Sequence, residues 1–277
     1  MEQLGLEGMP TRLFACTPSR LLSWLDCPRR YRFTYVDRPT PAKGPPWAHN
    51  AVGAAAHLAL ARWWELSRSR RTPESARGLL DEAWSPEGFE DPEQADRWRG
   101  YVGDWVARYA AGLDPDDEPR GTERTVGCTT QALAVSGRVD RVDQRGDELV
   151  VVDYKTGRSV PTQDDARGSL ALALYVLGTR RTFRAASSLV ELHHLPTGTV
   201  AAWRHTPESL ARHVSRAEAL AAEIVAAEDY PERPSTLCGW CDFVRLCPAG
   251  QAASGGPKKP WAGLASERAE LDRLTVT

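Results

Sequence analysis

The chain has 277 residues, of which 42% are hydrophobic and 26% are charged, and it contains ten Trp. This composition is typical of a globular protein and excludes a disordered chain. The net charge of −2 excludes a polycation, so any nucleic-acid contact must come from local basic patches. Because the sequence lacks both a long apolar run and the pattern of a signal peptide, we expect no membrane span and a cytoplasmic protein.

The first part of the chain is predicted to be helical. Thr17 is a typical N-cap, Pro18 suits the first helical position, and the leucines that follow form a helical stripe. Amphipathic patterns predict three further helices, over 47–67, 72–84 and 93–113. The acidic, proline-containing segment 114–119 then interrupts the helical pattern.

The second part of the chain changes to a β pattern. Short runs rich in Val and Thr alternate with turn residues over 122–154, and Leu149–Val152 is typical of a strand buried on both faces. Later elements are predicted to be a helix, two strands and a long helix, over 164–178, 188–195, 199–205 and after Thr206. This order predicts an α/β fold with a mixed sheet flanked by helices.

One predicted hairpin carries two carboxylates and an ammonium. If its loop has two or four residues centred on Arg145 and Gly146, position 140 faces position 151. Asp140 is then diagonal to Asp153 on the same face, roughly 7 Å away at the backbone, and Lys155 shares that face. A loop with an odd number of residues would turn Asp140 to the other face.

Such a cluster suits a divalent metal. Two carboxylates on rigid strands repel each other unless a cation lies between them, and Mg²⁺ or Mn²⁺ prefers oxygen ligands. A bound ion can activate a water, and a neighbouring lysine can stabilise charge on a phosphate. The alternative is a surface hairpin with a salt bridge. Because Asp153 and Lys155 follow an apolar run that we expect to be buried, the functional interpretation is favoured.

Segments 137–141 and 152–157 resemble the core of PD-(D/E)XK nucleases of the RecB family. The resemblance implies a restriction-endonuclease-like fold, with Asp140 and Asp153 as metal ligands and Lys155 as a catalytic residue.

Other family positions are matched outside the hairpin. The resemblance implies that His57, in Gly53-Ala-Ala-Ala-His57, is a metal ligand, and it adds Tyr154 to the ligands. It also places Glu123 and Tyr175 among the catalytic residues. One position departs from the family, since the expected glutamine four residues before Tyr175 is Ala171.

The chain has six cysteines: Cys16, Cys27, Cys128, Cys238, Cys241 and Cys247. In a reducing compartment, clustered cysteines indicate a metal site rather than disulfides. The last three have a compact metal-binding spacing, and Cys27 is the candidate fourth ligand; spacing alone does not separate zinc from an iron–sulfur cluster. Cys16 and Cys128 are interpreted as packing residues.

The cysteines are also similar to those of iron–sulfur members of the RecB family, which include the AddB subunit and nucleases of CRISPR adaptation. The resemblance implies a [4Fe–4S] cluster that is held by Cys27, Cys238, Cys241 and Cys247 and clasps the two ends of the domain. We therefore predict a nuclease domain over 11–250, followed over 251–277 by a linker and a short tail helix.

Arginines and aromatic residues crowd the first helices: Arg20, Arg29, Arg30, Arg32, Arg38, Tyr31, Phe33 and Tyr35. They predict a strand-guiding surface, because arginines bind phosphates and aromatic rings stack on unpaired bases. The alternative is a solvated helix face with core aromatics.

The sequence therefore predicts a Mg²⁺- or Mn²⁺-dependent DNA exonuclease that acts on single-stranded ends in repair or recombination. A helicase or another repair protein is the partner class that this function implies. The alternative is a catalytically weak DNA-binding or complex-forming module that keeps the fold and the cluster, and Ala171 is the feature that favours it.

Overall fold

A computed structural model describes residues 13–264 of the chain. The helices are α1 (Pro18–Asp26), α2 (Pro28–Tyr35), α3 (Ala48–Glu65), α4 (Pro73–Ala83), α5 (Pro92–Ala111), α6 (Gln163–Gly168), α7 (Leu170–Phe183), α8 (Pro207–Ala226) and α9 (Pro248–Ser254). The strands are β1 (Phe14–Cys16), β2 (Gly121–Thr129), β3 (Leu133–Arg145), β4 (Glu148–Lys155), β5 (Ala186–His194) and β6 (Thr199–Arg204). Single turns of 3-10 helix occur at Arg68–Arg70, Thr236–Trp240 and Val244–Leu246.

Local sequence signals set most helix boundaries. The Thr17 side chain accepts a hydrogen bond from the Arg20 amide, which confirms the predicted cap of α1. The helix that the sequence predicts over 164–178 is instead two helices. Ser169 separates them because it has an extended backbone and its hydroxyl accepts from the Leu172 amide, which starts α7.

The strands form a mixed sheet, as predicted, in which β3 pairs with three other strands. Strand β2 runs antiparallel along one edge of β3. The other edge is shared by β1, parallel at residues 133–135, and β4, antiparallel at residues 141–145. Beyond β4 the sheet continues through parallel β5 to antiparallel β6. Among the described strands, none pairs with residues 136–140 on the edge that β1 and β4 share.

Strand β4 is buried on both faces, which confirms the prediction from its apolar run. Each residue of Leu149–Val152 has 0% exposure. Val150 and Val152 pack with α3, α4 and α5, whereas Leu149 and Val151 pack with α7. The polar end of β4 is therefore anchored by a rigid, buried strand.

The C-terminal segment packs against the body of the fold. Residues 251–254 belong to α9, and the Lys258 amide donates to the Gly239 carbonyl at 2.9 Å. Leu264 is buried at the end of the described chain. The predicted tail helix beyond residue 264 lies outside the described residues. Within residues 13–264, no helix combines the length and apolarity needed to cross a membrane.

Candidate metal centre

Asp140 and Asp153 meet where β3 and β4 separate. The connecting turn is Gly146–Asp147, and Arg141 pairs with Val152 at the far end of the ladder. One further step in this register places Asp140 opposite Asp153, on the same face as predicted but adjacent rather than diagonal. The turn lies one residue later than predicted because Gly146, with a φ of 59°, takes the backbone conformation that glycine tolerates best.

Asp140 is held by two different elements. Its Oδ2 accepts a hydrogen bond from the Tyr154 amide at 2.7 Å. Its Oδ1 lies 3.2 Å from Nδ1 of His57, which α3 presents to the sheet. Burial alone would lower the pKa of His57, but the hydrogen bond and charge of Asp140, with the charges of Asp153 and Glu123, raise it overall.

Glu123 joins these two residues from β2. The ligand atoms of His57, Glu123 and Asp140 all lie within 4.8 Å of one another. The regular β2–β3 register is interrupted at Glu123, whose φ of 46° is in the left-handed region. Burial and the neighbouring Asp140 raise the pKa of Glu123, although Arg138 and His57 oppose this shift.

Asp153 and Lys155 form a contacting ion pair beside this cluster. The buried oxygen of Asp153, Oδ2, is the atom that contacts the Lys155 ammonium. Burial raises the pKa of Asp153, the Lys155 ammonium lowers it, and Asp140 raises it further, with a net upward shift. A buried carboxylate is unfavourable unless cations approach it, and Lys155 supplies one positive charge beside Asp153 and Asp140.

Tyr154 contributes to the site through its backbone. Its hydroxyl accepts from the buried guanidinium of Arg141 at 3.2 Å. Because strand side chains alternate, this ring lies on the opposite face from Asp153 and Lys155. The Tyr154 hydroxyl is thus not placed as a metal ligand, and only its backbone atoms lie beside Asp140.

Tyr175 packs over residues 136–140 of β3, which have no partner among the described strands on the edge that β1 and β4 share. A Cβ atom at Gly137 would lie 2.5 Å from its Cε1, so the ring requires glycine there. Burial, followed by the charges of Asp153 and Asp140, raises the pKa of Tyr175 to about 12. The phenol therefore stays protonated at neutral pH. Ala171, one turn earlier in α7, offers only a methyl group.

The donor set fits a divalent cation. Ions such as Mn²⁺ and Mg²⁺ bind oxygen and nitrogen at about 2.0–2.2 Å, so their ligand atoms lie at most about 4.4 Å apart. The ligand atoms of His57, Glu123 and Asp140 lie within 4.8 Å of one another, so movements of a few tenths of an ångström bring them into this range. Asp153 adds a third carboxylate, which is buried near Asp140, and a metal ion would balance the negative charge of these neighbouring groups.

The cluster opens into a groove of about 880 Å³. Its walls come from α1, α3, β3, α7 and the segment after β4, and include Ser19, Asn50, Gly53, Arg138, Thr156 and Tyr175. Arg138, whose side chain is 69% exposed, lies 2.7 Å from Glu123. Arg138 was not singled out from the sequence, although it stands between Gly137 and Asp140. His49, Gly53 and His57 also share this wall, and their four-residue spacing could have indicated it.

The four predicted cysteine ligands line a separate cavity of about 350 Å³: Cys27, Cys238, Cys241 and Cys247. Amides of Ser235 and Gly250 donate to the sulfurs of Cys238 and Cys247, each at 3.3 Å. A Cβ at Gly250 would lie 3.4 Å from the Cys247 sulfur, so glycine keeps the cavity open.

The distances between the cysteine sulfurs can be compared with those of a zinc site. Among the described cysteines, no three sulfurs lie within 4.8 Å of one another. Four thiolates around one Zn²⁺ would be about 3.8 Å apart, given a Zn–S distance of about 2.3 Å. The arrangement is therefore wider than a tetrahedral zinc site. Cys16 and Cys128 are buried on either side of Val135 in β3, consistent with packing roles.

The arginine and aromatic residues of the first helices form mainly internal contacts. Tyr31 is 1% exposed, and the guanidinium of Arg20 bonds to its hydroxyl at 2.9 Å. The other arginines bond to acidic side chains or carbonyls: Arg29 to Glu232, Arg30 to Asp26, Arg32 to Asp37 and Arg38 to the Asp37 carbonyl. This geometry favours the alternative of an ion-paired helix face with core aromatics over a strand-guiding surface.

The sequence and the fold of this chain can be compared with those of known proteins. No curated protein is similar enough in sequence to match. The solved structure of SSO0001 is 14% identical, with a TM-score of 0.40, over 90% of this chain and 89% of that chain. A protein of Eubacterium rectale, called a candidate exonuclease, is 12% identical, with a TM-score of 0.36, over 71% and 86%. The sequence pattern of the PD-(D/E)XK nuclease superfamily matches residues 15–248, and the chain therefore belongs to that superfamily.

Proposed function

We propose that the protein is a Mg²⁺- or Mn²⁺-dependent deoxyribonuclease of the RecB type, which hydrolyses single-stranded DNA ends in repair or recombination. The observation that carries this proposal is the convergence of His57, Glu123 and Asp140 within 4.8 Å beside the Asp153–Lys155 pair. A cluster of acids with one lysine, open to a groove, suits the hydrolysis of a phosphodiester.

The roles of the side chains follow from their positions. His57, Glu123, Asp140 and Asp153 would hold the ion, which when bound supplies a water of lowered pKa and a Lewis acid for a phosphate oxygen. Lys155 orients the attacking water and stabilises negative charge that builds on the phosphate.

Two groups at the groove wall complete this arrangement. The exposed Arg138 guanidinium can bind a phosphate oxygen of the strand. The protonated Tyr175 hydroxyl can donate a hydrogen bond but cannot act as a base.

The test uses purified full-length protein and end-labelled strands. With Mn²⁺, wild type should shorten single-stranded DNA from an end, whereas Asp153→Ala purified in parallel should not. Duplex DNA, single-stranded RNA and strands labelled at either end define the substrate and the polarity. Equal cleavage by wild type and Asp153→Ala would show that the activity does not come from this site.

The cysteine cavity is proposed to hold a [4Fe–4S] cluster with a structural role. The wide sulfur spacing and the two amide donors to sulfur support this proposal, since such hydrogen bonds accompany cysteine-ligated clusters. Anaerobically purified protein should be brown, absorb near about 400 nm and contain iron and sulfide. A colourless protein with stoichiometric zinc would exclude the cluster.

A second candidate function is a DNA-binding or complex-forming module with weak catalysis. Ala171 favours it, because the methyl group cannot bond to a phosphate or a water. Turnover distinguishes the two candidates: a module of this kind binds single-stranded DNA but releases no product with Mn²⁺.

A further inference from the structure

Asp242, in the cysteine-rich segment, holds the residues that lead into α3. Its Oδ1 accepts a hydrogen bond from the indole N–H of Trp47 at 2.8 Å. Its backbone carbonyl accepts from the Gly44 amide, also at 2.8 Å. The Lys43 ammonium lies 3.8 Å from Oδ2 of Asp242, but an exposed ion pair of this kind contributes little to stability. The charge-assisted bond to Trp47, a buried residue, is the strongest of these contacts.

The rest of the C-terminal segment packs on the same turn of α3. The Ala48 amide donates to the Pro260 carbonyl at 3.2 Å. The Trp240 ring lies 5.4 Å from Trp47 and 6.1 Å from His49, between ring centroids. These contacts hold the first turn of α3, and the Pro260 carbonyl satisfies an Ala48 amide that has no acceptor within the helix.

The position of Asp242 depends in turn on the cysteine site. Asp242 directly follows Cys241, and both Cys238 and Cys241 line the cysteine cavity. The Cys241 amide donates to the Cys238 carbonyl at 3.0 Å, and the Val244 amide donates to the Cys241 carbonyl at 3.1 Å. The fold of this short loop therefore sets the place from which Asp242 reaches Trp47.

Helix α3 connects this anchor to the metal centre. His57 lies nine residues after Ala48, which is about 13 Å along the helix axis. At Gly53, an added Cβ would be 3.4 Å from the Thr156 hydroxyl, so α3 also touches the segment that follows Lys155. A shift at the start of α3 would change the 3.2 Å approach of His57 to Asp140.

From these contacts we infer that Asp242 is a positioning residue that couples the cysteine site to the divalent-metal centre through Trp47 and α3. This inference rests on the metal centre of the proposed function. Asp242 lies outside that centre and acts on His57 through the helix. Because coupling is reciprocal, a change at the cysteine site alters Mn²⁺ affinity, and Mn²⁺ binding stabilises the cysteine site.

The affinity for Mn²⁺ tests the coupling without DNA. Isothermal titration calorimetry on full-length, anaerobically purified protein should show that Asp242→Ala weakens Mn²⁺ binding about fivefold or more. Asp242→Asn keeps an oxygen that accepts from Trp47 and should bind within about twofold of wild type. Asp229→Ala, at an exposed position after α8, is the matched control and should leave the affinity unchanged.

A second variant separates coupling from general loss of structure. Trp47→Phe keeps an aromatic ring against Trp240 but removes the indole N–H, so it should weaken Mn²⁺ binding as much as Asp242→Ala. The double variant should show no further loss, because both changes break the same hydrogen bond. If Asp242→Ala fails to fold, Trp47→Phe and Asp242→Asn still give the comparison.

Three results would overturn the inference, and each would exclude a different part of it. Unchanged affinity in both Asp242→Ala and Trp47→Phe would exclude the coupling while leaving the metal centre in place. Additive losses in the double variant would assign the two residues independent roles. No binding of Mn²⁺ by wild type would exclude the metal centre itself, and the coupling with it.

Discussion

The carboxyl group of Asp153 is buried and lies near the carboxylate of Asp140, and its pKa is raised despite the Lys155 ammonium. A metal-free protein at neutral pH therefore bears an electrostatic cost at this residue. We predict that Asp153→Asn raises the thermal unfolding midpoint in the presence of a chelator, because the amide removes the charge and keeps the size. The same variant should lose the stabilisation that Mn²⁺ gives to wild type. A lower midpoint in the chelated variant would contradict this account.

The stability gained by Asp153→Asn depends on pH because the pKa of Asp153 is raised in the folded protein. Below the ordinary carboxyl pKa, about 3.9, both the folded and unfolded states are protonated and the residue costs nothing. As the pH rises through the folded pKa, the unfolded state has already lost its proton, so stability falls. The advantage of Asp153→Asn should thus vanish near about pH 3.5 and grow as the pH rises above the ordinary carboxyl pKa. Melting curves across this range measure it.

Gly137 provides a second test at the residue scale. Gly137→Ala places a methyl group against the Tyr175 ring and should destabilise the fold by about 1–3 kcal/mol, as overpacking does. It should also reduce cleavage, because Tyr175 lies beside the acids. Gly100→Ala in α5 is the control, since an added Cβ there meets nothing within 4 Å and should stabilise the helix slightly. Equal stability of the two variants would contradict the proposed contact.

Strand alternation with an even hairpin loop predicted that Asp140, Asp153 and Lys155 share a face, whereas His57 was added only by the family resemblance. Arg138 was missed because its function depends on exposure at the groove, which a strand pattern does not show. The sequence left two interpretations open for the arginines of the first helices, and the contacts that favour an ion-paired face are not local. The partner of Arg29, for example, is Glu232, about two hundred residues away in the chain, and no local pattern reveals such a pair.

At the scale of elements, β2 departs from regular geometry at Glu123, a residue of the proposed metal centre. Glu123 has a φ of 46°, a conformation that costs a residue with a Cβ about 1–2 kcal/mol. The interruption brings its carboxylate to Asp140 and His57. This strained backbone could not be predicted from the sequence, because glutamate is not a residue that favours positive φ.

The strained backbone at Glu123 leads to one prediction for stability and another for metal binding. Glu123→Gly should be more stable than Glu123→Ala by about 1 kcal/mol, because only the alanine keeps a Cβ at positive φ. Both variants should bind Mn²⁺ more weakly than wild type, since both lose the carboxylate. Chemical denaturation with calorimetric Mn²⁺ titration tests the pair. An alanine variant as stable as the glycine variant would show that no strain is stored there.

Turns and helix breaks set the limits of prediction for the elements. The β pattern predicted both strands of the β3–β4 hairpin, but the position of its turn was one residue off because the decisive φ belongs to Gly146. Ser169 looked like an ordinary helical residue, yet its hydroxyl caps α7 and divides the predicted helix. The positions of such turns and helix breaks depend on local backbone conformation and hydrogen bonds, which the spacing of hydrophobic residues does not show.

On the scale of the whole molecule, the cysteine site joins the two ends of the fold. Cys27 and Cys238 are 211 positions apart (238 − 27). Closing a loop of this length stabilises a fold by at most about 5 kcal/mol. We predict that Cys27→Ser loses the metal of the cysteine site and lowers the melting midpoint by about 10 °C or more. Cys128→Ala, outside the cavity, should keep the metal. Retention of iron by Cys27→Ser would contradict this assignment.

The mixed sheet and its flanking helices were predictable, because the apolar run of β4 and the amphipathic patterns of the helices are clear in the sequence. The short strand β1 was not predicted, since three residues carry too little pattern. Its parallel pairing with β3 nevertheless leaves residues 136–140 free on that edge, which is where the groove and the metal centre lie.

The central claim is that a metal held by the acids of β2, β3 and β4 works with Lys155 to cleave DNA. The most direct measurement compares wild type with Lys155→Ala on end-labelled single-stranded DNA, alongside Mn²⁺ affinity. We predict that the variant binds Mn²⁺ about as tightly as wild type but cleaves about a hundredfold more slowly. Cleavage at the wild-type rate by Lys155→Ala would contradict the account.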